Sequence, residues 1–175
     1  ILPIKDSEVY DSINELEKIS FKISSKNINK NNSAIELAKW VSDIPIIYYP
    51  YGFQAAAIRF KNSMQENAKT HVMYEDIIET CHNGIVSWEQ KSNIQPILIR
   101  GKDDHVKTIE RWQIVKEFFQ SNEIDYKEIF SKDGSILTKL ICLIYSLDMT
   151  SIYHSIIHEI DPSPVDSIDF IKRKL

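Results

Sequence analysis

Ile44-Pro45-Ile46-Ile47-Tyr48-Tyr49 is almost wholly apolar, and it leads through Pro50-Tyr51-Gly52 into Phe53-Gln54-Ala55-Ala56-Ala57-Ile58-Arg59-Phe60-Lys61. An apolar block without alternation is what a strand buried on both faces requires. The segment from Phe53 to Met64 reads as a helix, and its alanine triplet lets that helix lie close against a sheet. Working outward, the same alternation recurs. His71 to Tyr74 reads as a short strand, Ile77 to Trp88 as a helical segment, and Ile94 to Ile99 as another apolar strand. A helix opening at Asp103 or Asp104 carries Val106, Ile109, Trp112, Val115 and Phe119 along one side. Ile124 to Phe130 reads as a strand at a sheet edge, because polar residues interrupt it.

The flanks complete the pattern. Asp6 or Ser7 caps a first helix with Val9, Ile13, Leu16 and Ile19 at helical spacing. A Ser/Lys/Asn-rich loop follows from Ser24 to Asn32, and Ser33 with Glu36 forms a capping-box pattern for the next helix. Ser135 to Ile157 reads as one long helix, and Pro162 and Pro164 precede a last helix from Val165 to Lys172. Strands alternating with helices imply right-handed crossovers and a parallel sheet covered on both sides. The fold expected is α/β, a three-layer sandwich. Residues 1–32 form an N-terminal helix and polar connection, and residues 33–175 form the domain proper.

A chain of 175 residues suits one domain. A net charge of −4 with a pI near 5.7 argues against a nucleic-acid partner, which needs a basic face. Leu140 to Leu147 is the most apolar stretch and is read as a buried helix rather than a membrane span. Two cysteines, Cys81 and Cys142, are too few for a disulfide framework and read as reduced thiols in a cytoplasmic protein. The chain opens at Ile1 rather than Met, which raises the expectation of a processed, tagged or partial sequence.

The chemistry concentrates between Glu66 and Asn83, where carboxylates, Lys69, His71 and His82 surround the second strand. The four glycines, at 52, 84, 101 and 134, form no phosphate-cradling loop, and the Pro50-Tyr51-Gly52-Phe53 turn is bulky and aromatic. Metal ligation by His82 with Glu79 lacks a second histidine at ligand spacing. A Cys81–His82 pair fails because helix neighbours diverge by roughly 100°. General acid–base work survives. Glu66, held against apolar neighbours at a helix end, could take a proton from carbon, and His82 could move protons near neutral pH. The bland alternative makes Glu66 and Lys69 a solvated helix-end pair and His82 an ordinary surface histidine.

Ile46-Ile47-Tyr48, Ala57-Ile58-Arg59-Phe60-Lys61, Glu66-Asn67-Ala68-Lys69, Glu79 and His82-Asn83-Gly84 closely resemble the C-terminal half of archaeal bifunctional phosphoglucose/phosphomannose isomerases. Those proteins are built from two sugar-isomerase (SIS) domains. The resemblance runs from about Asn32 through Asp161-Pro162-Ser163-Pro164-Val165 to the C-terminus. It implies a flavodoxin-like SIS fold with a parallel sheet of four or five strands. It implies Glu66 as the base that shuttles a proton between C2 and C1 through a cis-enediol. His82 would act in ring opening, reaching the site from a neighbouring subunit, and Lys172 would assist, with Lys174 close by. Arg59 and Asn83 would bind substrate.

The implied substrates are glucose 6-phosphate, mannose 6-phosphate and fructose 6-phosphate, and the chemistry calls for no metal or organic cofactor. The family's Ser/Thr-rich phosphate loop is missing, so the chain is expected to be the C-terminal portion of a longer enzyme. Cut from its partner, it should expose apolar surface and form a homodimer. Two rivals are a non-catalytic sugar-phosphate-sensing SIS module and a dimerisation domain.

Overall fold

The computed structural model describes residues 4–28 and 31–175. The chain runs α1 (Asp6–Ile23), α2 (Ser33–Trp40), β1 (Ile44–Tyr49), α3 (Gln54–Asn67), β2 (Met73–Asp76) and α4 (Ile77–Thr80). A 3-10 helix (Gly84–Glu89) follows, then β3 (Ile94–Arg100), α5 (Val106–Ser121), β4 (Lys127–Phe130), α6 (Ile136–Ile157) and α7 (Asp166–Lys172). The four strands are all parallel, in the order β2-β1-β3-β4. β1 and β3, the two continuous apolar runs, are the central pair, and the polar-interrupted β4 lies at an edge as its sequence predicts.

Three layers follow from the pleat. Ile47, Tyr49, Ile97 and Ile99 point to one face, where Ala56, Ala57, Phe60 and Met64 of α3 pack with Leu143 and Leu147 of α6. Tyr48 and Leu98 point to the other, against Ile77 of α4 and Trp112, Val115 and Phe119 of α5. Ala56 and Ala57 are fully buried, so the alanine triplet does bring α3 close to the sheet. α6 is long and apolar enough to cross a membrane by length and composition. Here it is wrapped by α1, α2 and α3 and supplies core to the domain.

Several boundaries move, each for a local reason. α1 is entered from Lys5, with Glu8 accepting from the Lys5 amide at 2.9 Å, so neither Asp6 nor Ser7 is the cap. Because α1 leans on α6 along one line, Ile19 and Ile23 are buried while Val9 and Ile13 stay exposed. Asn32, not Ser33, caps α2, accepting from Ile35 and also closing the preceding loop through Ser24 and Asn27.

α3 continues to Asn67, which delays β2 by two residues relative to the expected His71–Tyr74. The helix expected from Ile77 to Trp88 is broken into α4 and the 3-10 turn. α5 begins at Val106 under a His105 cap, because Asp104 is occupied by the Gly101 amide and the Trp112 indole. Burial pushes the Asp104 carboxyl above its ordinary range, with those two donors opposing.

Candidate active site

Glu66 lies in the last turn of α3. That helix leaves the carboxyl end of β1 and must return to the start of the parallel β2, so its end lies toward the amino edge of the sheet. Glu66 is exposed rather than packed against apolar neighbours as the sequence suggested. It lines a cleft of about 240 Å³ with Gln65, Lys69 and residues 164–168, the entry to α7. The C-terminal segment therefore meets the base candidate directly.

Lys69 is not Glu66's ion-pair partner. Its backbone turns left-handed at φ 53°, and its Nζ donates to the carbonyl oxygens of Glu66 (2.6 Å), Pro164 (2.7 Å) and Pro162 (3.4 Å). Sequence spacing could not show this, because the partners stand 93 and 95 positions away. Asp161 opens the same segment. Its carboxyl accepts from Ser163 and is held below the usual range, first by that hydrogen bond and more weakly by Lys69.

Lys172 closes α7 and is exposed, about 9 Å along the axis from Asp166 at a rise of roughly 1.5 Å per residue. Lys174 lies beyond the helix with its ammonium over the Phe170 ring at 6.0 Å. Arg59 sits two turns before Glu66. Its guanidinium spans both Asp148 oxygens of α6 at 3.0–3.1 Å, and Ser63 donates to the same carboxylate. Asp148 raises the Arg59 pKa by hydrogen bonding and charge. Arg59 is thus committed within the chain, where it ties α3 to α6.

His82 occupies the exposed turn after α4, on the opposite face of the sheet from α3. Asp76 caps α4 through the Ile78 amide, and the amides of His82 and Asn83 both close on the Glu79 carbonyl at 2.9 Å. The Asn83 side chain donates to the Glu79 carboxylate. Glu75 accepts from Thr80 at 3.0 Å and fills the space beside Gly84. The turn is therefore fixed from two sides. Among the described residues, no hydrogen bond or ion pair joins Glu66 and His82. Within one chain the two sit on different faces, and the entry to α7 lies on Glu66's side. Among the described residues no group of three or more His, Cys, Asp or Glu is placed to hold a metal ion.

A four-stranded parallel α/β sandwich with these motifs defines an SIS-type domain. Residues 30–175 match the family described as bacterial phospho-glucose isomerase C-terminal SIS domain, and the chain belongs to it. A curated relative from Caldicellulosiruptor bescii, named a bifunctional phosphoglucose/phosphomannose isomerase, is 27% identical over 97% of this chain and 52% of its own length. A relative of the same name from Aquifex aeolicus is 24% identical over 75% of this chain and 42% of its own length. The chain thus spans about half the length of the curated relatives it matches. A crystal structure of a glucose-6-phosphate isomerase like protein from Thermus thermophilus superposes with a TM-score of 0.70 at 14% identity, over 90% of this chain and 52% of that one.

Proposed function

We propose that this chain is the base-bearing half of an aldose–ketose isomerase that interconverts glucose 6-phosphate, and mannose 6-phosphate, with fructose 6-phosphate in the cytoplasm. The observation that carries the reading is the cleft at the end of α3, where Glu66 faces the segment leading to Lys172. On an open-chain aldose, the Glu66 carboxylate takes the proton from C2 while O1 is protonated, giving a cis-enediol. It returns that proton to C1 as the O2 proton leaves, giving the ketose. Atoms and charge balance without an outside oxidant. His82 passes a proton to the ring oxygen when the hexose opens, Lys172 assists there, and Asn83 lines the sugar's path beside His82, while Arg59, held by Asp148, braces the helix that carries Glu66. Glu66 and His82 sit on opposite faces of one sheet, which supports His82 serving the site of a second copy in a homodimer.

Phosphate binding falls to the half that the curated relatives carry and this chain does not cover. The test joins this chain to that half and compares it with Glu66→Gln. A positioned general base contributes roughly 10²–10⁴-fold, so kcat falls by that factor with KM little changed. Near-normal turnover in Glu66→Gln removes the assignment. His82→Ala is less harmful on open-chain aldehyde than on the cyclic sugar, and equal losses on both argue against its ring-opening role.

A further inference from the structure

We propose that Lys69 is a positioning residue, the clasp that seats the C-terminal segment and its α7 lysine against Glu66. The proposal rests on the reading of Glu66 as the base, and its structural half stands without it. No residue of α7 is buried, and Ile168, Phe170 and Ile171 are all exposed. A helix of 7 residues with no buried face has little to hold it in place. Among the described residues, the only hydrogen bonds from residues 162–175 to the rest of the chain are those Lys69 donates to Pro162 and Pro164, apart from the local turn closed by Asp161 on Ser163.

The same ammonium also donates to the Glu66 carbonyl, so one cation bridges the end of the base's helix and the entry to α7. Its backbone conformation adds weight. Left-handed residues at a helix C-terminus are usually glycine, because a Cβ is unfavourable there. Lys69 holds that conformation at φ 53° and uses the side chain that glycine would lack. Three carbonyl oxygens suit three ammonium donors, a match a methionine of similar length cannot make.

Hydrogen–deuterium exchange on the 175-residue chain decides the structural half. The amides of Ile168 and Asp169 close on the Val165 carbonyl and report whether α7 is seated. Lys69→Met speeds their exchange at least about fivefold while the sheet amides keep their rates. Lys69→Arg, which retains cationic donors, stays close to the parent. Lys69→Gly relieves the left-handed backbone, so it loosens α7 as Lys69→Met does without lowering the unfolding midpoint. Unchanged exchange in Lys69→Met, or equal loosening in Lys69→Arg, overturns the clasp.

The catalytic half is read in the chain joined to the relatives' other half. Lys69→Met lowers kcat by roughly ten- to a hundredfold with KM little moved, as misplacement of a reacting group does, and Lys69→Arg restores most of it. Loss confined to KM contradicts a positioning role. If Glu66→Gln retains turnover while the exchange pattern holds, the isomerase reading fails and the clasp stands. If exchange fails while Glu66→Gln is inactive, the reverse is concluded.

Discussion

Gly84 gives the sharpest test of how the His82 turn is held. Its backbone is outside the left-handed region that demands glycine, so an alanine is not refused by φ. Space refuses it. A Cβ there collides with Glu75 Oε2 and lies 2.9 Å from Glu75 Cδ. Glu75 must swing away, giving up the 3.0 Å bond from Thr80, whose hydroxyl keeps the Asp76 carbonyl at 2.8 Å. A hydrogen bond to a charged group contributes about 1.5–3 kcal/mol, and the retained Asp76 partner places the loss near the lower end, at about 1.5 kcal/mol. For a chain of this size that lowers the melting midpoint by roughly 3–6 °C.

The cycle uses Gly84→Ala, Glu75→Ala and the pair, read by urea unfolding with m unchanged. With the carboxylate removed, Gly84→Ala costs under about 0.5 kcal/mol, so the coupling is about 1 kcal/mol or more. Equal costs for Gly84→Ala in both backgrounds would refute the reasoning, because the clash would then lie elsewhere.

Other expectations concern pH, substrate and assembly. His154 is buried, its Nδ1 lies 3.1 Å from the Ala38 carbonyl, and its ring centre lies 4.2 Å from that of the tilted His158 ring. Burial, opposed by the Ala38 bond and aided by His158, lowers its pKa below the usual 6.5. The unfolded chain then binds the proton more readily. The stabilisation from neutral His154 is therefore complete above about pH 6.5 and is lost as pH falls through the folded value. His154→Asn keeps a donor for Ala38 without titrating, so its unfolding midpoint falls less between pH 7 and 5; an identical fall rejects the assignment. Titration with fructose 6-phosphate should show the isolated chain inactive and binding at millimolar levels or weaker, as the proposed division of phosphate binding from the base requires. Robust turnover would reveal a phosphate site within these residues. Light scattering at micromolar concentration should report a homodimer; a monomer contradicts that. In the joined protein, mixing Glu66→Gln with His82→Ala subunits should recover activity, and none after subunit exchange would place His82 in its own subunit's site.

The centre of the sheet was readable because β1 and β3 are buried on both faces, which leaves unbroken apolar runs. β2 was displaced because α3 outran its apolar pattern, and the 77–88 helix was overread because apolar residues also fill a 3-10 turn. The site was legible as residue types and not as an arrangement. Sixteen positions separate Glu66 from His82, which suggests neighbours, yet a strand and the sheet itself lie between their helices. Arg59's bond to Asp148 and Lys69's grip on Pro164 are tertiary contacts between distant positions, and no local periodicity encodes them.

Proton transfer by Glu66 is tested most directly by solvent deuterium incorporation in the joined protein. With fructose 6-phosphate in D₂O, the parent should place deuterium at C1 of the ketose and C2 of the aldose, and Glu66→Gln should lose that exchange together with turnover. Incorporation at the parent's rate in Glu66→Gln would contradict the account, because the carbon-bound proton would then be moved by another group.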